Sequence, residues 1–475
     1  ESKQPSPTAS KTACVRGRAR ESGAMLSILA KATAGKFSPT TRWISSKVNR
    51  TPLLPSTLTD ITASWICGVL HDSEAIPAAV AVEAVTVVPC DFGKTSTVAR
   101  VAITYANADG HPDLPASVMV KLSRTDLKGR VMGLAVRLYR ECFFYEHIGP
   151  DSGLPIPRCY FSYANSFTGE FVLVLEEVRP ASTIEVADEA AVCYRSVPSD
   201  ETSGVDVAMV EAAIDAISAM HVKYLNDSSL LDKWWIYGTA SVKARRSLSE
   251  IDATVSYIEQ QWKATRAGAA AGKFVGSPWA DDFVAGMDRY VEHFGKLLGD
   301  RIKSECYFPV TLCHGDYHGQ NILRMTDDGG DGRSRDSLVI LDFQVLMVDE
   351  PQVDIGYLMG MGLTPSDRRA HDERLVRRSY DALEPALREQ GDHAMPFELY
   401  FDRYKFCAML KVFILVTLLD SLMADGRETD AYVANQLYCR AFGLMKDYGD
   451  PVDLAAKSAQ WRRDLVAEKG EAPAI

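Results

Sequence analysis

Residues 314–321 read "HGDYHGQN", an Asp two positions after a His and an Asn five positions after that Asp. The cluster follows the apolar approach "YFPVTLC", and a merely solvated loop needs no such concentration of His, Asp, Gln and Asn. Farther on, Asp342 closes a second apolar run, "SLVIL", and is followed by Phe343. A carboxylate beside a hydroxyl can accept its proton as the oxygen attacks phosphorus. An Asn amide oxygen and a second carboxylate are hard donors of the kind Mg²⁺ takes, with phosphate oxygens completing its sphere. Asp316, Asn321 and Asp342 therefore suit phosphoryl transfer, provided that the chain brings them together.

A hairpin is the device expected to do so. The strand-like pieces "ILRM" and "SLVIL" flank "TDDGGDGRSRD", whose Gly/Asp-rich composition marks a long tip. Such a hairpin returns Asp342 to the loop that holds Asp316 and Asn321. Upstream, three β-rich runs over 81–90, 96–106 and 116–123 are separated by turn-rich stretches. A helix is expected over 133–148, then two strands in "PIPRCYFSYAN" and "GEFVLVLEEV". In the third strand, alternation sets Lys121 with Met119 and opposite Val118, Val120 and Leu122. Glu141 lies on the helix that follows. Before strand one, "TLTDITASWICGVL" reads as a short capped helix.

Beyond a polar loop at 195–206 the spacing turns helical, with Val210, Ile214, Ile217, His221 and Leu225 recurring at three and four residues after Asp206 as N-cap. A later helix starts with Thr364 as cap and Pro365 at its first position. The expected fold is α+β and two-lobed, with a small β-rich N-terminal lobe (57–178) and a larger, mostly helical C-terminal lobe (179–465).

The spacing H-x-D-x-x-x-x-N, with Asp-Phe downstream, matches the kinase catalytic loop and its second metal ligand. That template also requires a strand lysine and a helix glutamate, and Lys121 and Glu141 occur in that order. Departures are equally informative. The loop reads "HGD" where protein kinases have "HRD", "DFQ" replaces "DFG", and no "APE" or activation segment follows. The sequence resembles the aminoglycoside-phosphotransferase and choline-kinase side of the protein-kinase-like fold, and is most similar to its ecdysteroid-kinase-like (CHK-type) branch. The stretches that carry the resemblance are "LCHGDYHGQNIL", "VILDFQVLMVDEPQVDIGYLM", "RECFFYEHI", "FVLVLEEV", "ISAMHVKYL" and "LTPSDRRAHDERLVRRSYDAL", within about 57–450.

The resemblance implies a small-molecule kinase that uses ATP and Mg²⁺. It makes Asp316 the catalytic base and Asn321 and Asp342 the metal ligands. Lys121 would touch the ATP phosphates and Glu141 would orient it, while Glu176, Glu177 and Val178 would form the hinge that offers backbone groups to adenine. Asp354 would brace the catalytic loop, and His314 would pin it. His318 is expected in packing or in substrate contact, and His221 in the core. The phosphate-covering turn would be "PCDFGKTSTV", with Gly93 and Lys94 at its tip and no further glycine. Its "GKT" is not a P-loop, since the first glycine of that motif would fall on Val88 and a strand follows. The alternative to an enzyme is a catalytically inactive kinase-like binding protein. It is opposed by the simultaneous presence of Lys121, Glu141, Asp316, Asn321 and Asp342.

Composition bounds the remaining possibilities. The chain has 475 residues, 47% hydrophobic and 24% charged, with a net charge of −11. Residues 1–50 carry ten Lys/Arg against only Glu1 and Glu21, so the rest is more acidic than the net value. An acidic folded part is a poor general binder of nucleic acid. The ten cysteines are scattered without any C-x-x-C pair, which points to reduced thiols and away from structural zinc. The apolar run "VFILVTLL" at 412–419 is too short to span a bilayer and reads as a buried helix. Residues 1–56 form a basic, Ser/Thr-rich extension, expected to be disordered or targeting. The localisation expected is cytoplasmic, or organellar if the stretch from Met25 acts as a transit segment. The partner expected is a small hydroxylated substrate, whose identity and the protein's oligomeric state the sequence leaves open.

Overall fold

The computed structural model describes residues 54–90, 96–126, 129–130, 133–134, 137–178, 205–238, 248–274, 279–304, 309–328, 334–389, 395–423 and 430–469. The N-terminal extension up to residue 53, Gly93 and Lys94 of the phosphate turn, and most of the 195–206 loop lie outside them.

The N-terminal lobe opens with helix α1 (Ala63–Asp72), whose N-cap Thr62 accepts from the Trp65 amide. A separate 3₁₀ turn, Leu58–Asp60, precedes it with Thr57 and Asp60 in a capping box, so the expected single helix is two short pieces. Strands β1 (Ala81–Cys90), β2 (Ser96–Ala106), β3 (Ser117–Ser123), β4 (Cys159–Ala164) and β5 (Phe171–Glu176) form one antiparallel sheet in the order β1-β2-β3-β5-β4. The period of two decides what each face covers. Val118, Val120, Leu122, Val172 and Val174 face α1 and pack with Trp65, Ile66, Val69 and Leu70. Phe171 and Leu173, on the other face, join the main core of the C-terminal lobe. The sheet thus separates two cores, and Lys121 stands on the side turned away from α1, as the alternation predicted.

Helix α2 (Arg140–His147) is shorter than the 133–148 expected. Arg137 has φ 52°, in the left-handed region, and the Leu138 amide closes back on the Gly133 carbonyl at 2.9 Å. Apolar periodicity cannot report such a backbone reversal, which separates the helical residues at 129–130 and 133–134 from α2.

The C-terminal lobe contains α3 (Val207–Lys223), α4 (Leu248–Ala270), α5 (Asp281–Ser304), α6 (Gln352–Gly362), α7 (Pro365–Glu389), α8 (Phe397–Thr417), α9 (Leu419–Leu422), α10 (Asp430–Tyr448) and α11 (Pro451–Lys469). Asp206 caps α3 through a 3.1 Å bond from the Ala208 amide, and Thr364 caps α7 through 3.0 Å from Asp367. Short strands β6 (Tyr237–Gly238), β7 (Thr311–Cys313) and β10 (Met347–Asp349) form a small sheet in the order β6-β10-β7. The hairpin β8 (Ile322–Asp328) and β9 (Ser334–Ile340) pairs Ile322 with Ile340, which returns the chain beside its starting point as expected.

Helices α6 and α8 carry residues that reach the loop, and they cross closely. A Cβ on Gly356 would lie 2.7 Å from the Ala408 backbone nitrogen, so only glycine allows that approach. A buried ion pair between Arg403 and Glu350 (Nε to Oε2 2.7 Å) joins α8 to the entry of α6. Gly356→Ala is accordingly expected to cost about 1–3 kcal/mol by overpacking, measured as a lower denaturation midpoint at unchanged slope. The run 412–419 is buried as expected, with Val412, Phe413 and Val416 inaccessible. Among the described residues, no helix is long and apolar enough to cross a membrane, and no cysteine forms a disulfide.

Candidate active site

The loop after β7 is built around Asp354 of α6. The Asp354 carboxylate is buried and accepts from the His314 amide (2.8 Å, Oδ2), the Gly315 amide (2.9 Å, Oδ1) and His221 Nε2 (3.1 Å, Oδ2). Burial alone would raise its pKa, but the bond from His221 and the Gly315 amide hold it below the usual range. His221, expected as a core residue, is buried and also belongs to this brace. With Cys313 it brings N, S and O donor atoms within 4.8 Å of one another, but the carboxylate is already committed to the loop.

His314 bonds through both ring nitrogens. Its Nε2 donates to the Leu341 carbonyl at 2.8 Å and its Nδ1 accepts from the Asp316 amide at 3.2 Å, which defines one neutral tautomer. Burial lowers its pKa in keeping with that form. Gly315 has φ 80°, and a Cβ there would sit 2.3 Å from the Val345 carbonyl oxygen. The second letter of "HGD" is therefore dictated by sterics.

Asp316 and Asn321 meet across the turn. Asn321 Nδ2 donates to the Asp316 carbonyl at 2.9 Å and lies 3.3 Å from Oδ2, leaving the amide oxygen on the opposite side of the group. Burial would raise the pKa of Asp316, yet His318 (Nε2 to Oδ2 3.6 Å) and the charge of Lys411 bring it down to about 2. Tyr357 of α6 lies beside the same carboxylate and packs edge-on against His318. Lys411 of α8 donates to the Gly315 carbonyl at 2.6 Å and lies 5.4 Å from the Tyr357 ring centre.

Asp342 reaches this group from the hairpin. It has φ 66°, a strained region that costs a non-glycine residue about 1–3 kcal/mol and persists where its surroundings impose it. Lys121 Nζ donates to Asp342 Oδ1 at 3.0 Å and to Glu141 Oε2 at 2.6 Å. Burial opposes the lysine's charge, but the two carboxylates outweigh it and hold its pKa above the usual value. Phe343 is fully buried, stacked on Phe144 of α2 at 3.7 Å between ring centres and 4.6 Å from the His314 ring. That stack ties the helix bearing Glu141 to the hairpin bearing Asp342.

The sequence-derived residues Lys121, Glu141, Asp316, Asn321, Asp342, His314 and Asp354 thus converge from two lobes. At the proposed hinge, the Glu176 amide donates to the Arg158 carbonyl at 2.8 Å, and the Glu177 side chain is tied to Arg100 (2.6 Å) and Ser117. Val178 ends the described segment, and Gly93 and Lys94 are outside the described residues. Lys411, Tyr357 and Gln344 were not singled out as site residues by sequence. Lys411 had a signal, a lone charge abutting an apolar helical run, but that charge read equally well as the end of the run.

Lys121 and Glu141 offer a direct test of pairing. Lys121→Ala is expected to weaken nucleotide use, Glu141→Ala to do so more mildly, and the double variant to lose less than the two singles combined. A double-variant cycle on nucleotide affinity that came out additive would separate the two residues.

Residues 249–391 match the model of the Ecdysteroid kinase-like family, a stretch that contains Asp316, Asn321, Asp342 and Asp354. The chain thus resembles that family as its loop sequences suggested. No curated protein matches the chain. Among solved structures it is similar to a microcompartment-associated aminopropanol kinase (11% identity, TM-score 0.42, covering 77% of this chain and 94% of the other). It is also similar to an ethanolamine kinase of Plasmodium vivax (12% identity, TM-score 0.36, covering 80% and 92%). A third likeness is to an aminoglycoside phosphotransferase of Streptomyces rimosus in complex with ADP and streptomycin (16% identity, TM-score 0.30, covering 67% and 90%). The fold places a five-stranded antiparallel sheet before a mostly helical lobe.

Proposed function

We propose that the chain is a phosphotransferase that moves the terminal phosphoryl of ATP to a hydroxyl of a small molecule, with Mg²⁺ as cofactor. The observation that carries this reading is Lys121 Nζ lying between Glu141 (2.6 Å) and Asp342 (3.0 Å). It links a strand, a helix and a hairpin far apart in sequence, and no structural need for three buried or half-buried charges explains it. Isolated groups of this kind are costly to desolvate.

In this reading Lys121 binds the nucleotide phosphates and Glu141 keeps its ammonium aimed. Asn321 and Asp342 fit a hard cation, since one is an amide oxygen freed by the bond from Nδ2 to Asp316 and the other a carboxylate. Bound there, Mg²⁺ neutralises phosphate charge. Glu177 and Val178 are the hinge candidates for adenine, because the Glu176 amide is committed within the sheet. Gly93 and Lys94 would cover the phosphates. Asp316 orients the acceptor hydroxyl and takes its proton. A carboxylate held near 2 is a weak base, so it accepts the proton late, once bonding to phosphorus has acidified the hydroxyl. Positioning and charge stabilisation supply most of the rate.

The experiment is Mg²⁺-dependent conversion of ATP to ADP, first without acceptor and then with hydroxylated metabolites selected by thermal shift beside a non-hydrolysable ATP analogue. Absence of both nucleotide binding and turnover across that set would leave the inactive binding protein as the better reading.

A further inference from the structure

Gln344 follows Phe343 where the kinase pattern has glycine. Its Nε2 donates to Asp342 Oδ2 at 3.1 Å, while Lys121 Nζ occupies Oδ1 at 3.0 Å. Both oxygens of the carboxylate therefore have a donor, and Asp342 is fixed in its left-handed conformation from both. The Gln344 amide cannot be turned over, because Oε1 would then face a carboxylate oxygen and two acceptors would repel. In the orientation observed, Oε1 is buried and has no hydrogen-bond partner among the described residues.

A buried carbonyl oxygen without a donor is unfavourable unless a donor arrives with a ligand. The group beside it is the carboxylate assigned above to a divalent cation. Mg²⁺ sheds its water reluctantly and usually keeps several molecules when bound to protein. We propose that Gln344 is a positioning residue for the metal: Nε2 sets the Asp342 carboxylate, and Oε1 accepts a hydrogen bond from water that Mg²⁺ carries in. Glycine at this position supplies neither group. Glutamate keeps an acceptor but adds a negative charge next to Asp342. The assignment rests on the phosphotransfer reading, and extends it to a residue that touches neither nucleotide nor acceptor.

The test is calorimetric titration of MgCl₂ into the full chain saturated with a non-hydrolysable ATP analogue, beside titration of the analogue alone without metal. Gln344→Met keeps the side chain's length and removes both polar atoms. It is expected to weaken Mg²⁺ binding by about 10-fold or more, the usual scale for groups that support metal ligands. Binding of the metal-free analogue should stay at the wild-type value, and the metal-free melting temperature should stay close to it, since an unpaired buried acceptor has been removed. Gln344→Glu should recover Mg²⁺ binding relative to Gln344→Met, and failure to do so overturns the role of Oε1. Wild-type Mg²⁺ affinity in Gln344→Met, or an equal loss of metal-free nucleotide binding, overturns the assignment as a whole. A wild-type chain that binds no Mg²⁺ with the analogue overturns the phosphotransfer reading itself, and this inference with it.

Discussion

Asp316→Asn is expected to lower turnover by on the order of 10² to 10⁴, the usual range for general acid–base help, while leaving Mg·ATP affinity near the wild-type value. The substitution keeps the side chain's shape and removes the proton acceptor. The Asn321 bond to the Asp316 carbonyl, at 2.9 Å, involves the backbone and survives it. Asp342→Asn should behave differently, since its carboxylate faces Lys121 at 3.0 Å and is the assigned metal ligand. It should weaken Mg²⁺-dependent nucleotide binding as well as turnover. Calorimetry of Mg·ATP on both variants decides between the roles, and equal loss in both would show that base and metal ligand have been interchanged.

The same carboxylate makes a statement about pH. Asp316 titrates at about 2 in the folded chain, below the ~3.9 of an unfolded aspartate. A depressed value of this kind contributes stability that is fully present above ~3.9 and lost as the pH falls toward 2. Across the neutral range Asp316 therefore stays ionised, and a fall in turnover between about pH 7 and pH 5 must come from another group. Loss of that acid limb in Asp316→Asn would contradict this.

Much of the site was legible because it sits on elements with strong local signals. Alternation in "SVMVKLS" placed Lys121 on the side away from α1, and the Gly/Asp-rich tip between two β-rich runs placed Asp342 beside Asn321. What the sequence did not reveal are contacts made across long separations by residues of ordinary appearance. Lys411 reaches the Gly315 carbonyl from α8, and His221 reaches Asp354 from α3; each looks like part of its own helix. The α2 boundary was hidden for another reason, since Arg137 adopts a conformation that its residue type does not announce. Gln344 was visible as a departure from glycine, but only its bond to Asp342 gives the departure meaning.

Asp354→Asn should have the second large effect, and on two readouts at once. The carboxylate accepts three hydrogen bonds, with His314 N and His221 Nε2 on Oδ2 and Gly315 N on Oδ1. An amide has one acceptor oxygen, so one side must now present an NH₂ to a donor. The cheaper orientation keeps the two bonds on Oδ2 and sets NH₂ against the Gly315 amide. That leaves a buried backbone donor unpaired, at a cost of about 1–3 kcal/mol, and pushes on the residue before Asp316. Gly315 cannot yield freely, because a Cβ there would meet the carbonyl of Val345, in the turn Phe343–Val345 after the hairpin, and its φ of 80° fixes the turn. The strain must pass to Asp316. Asp354→Asn is therefore expected to lower both the denaturation midpoint and turnover, whereas Asp316→Asn, which loses the stability of one depressed carboxylate and no backbone bond of the loop, should lower turnover far more than the midpoint. His221→Gln, which can still offer a donor to Oδ2, should fall between wild type and Asp354→Asn on both. If Asp354→Asn kept wild-type stability and lost only turnover, Asp354 would be acting on the reactants and not through the loop it braces.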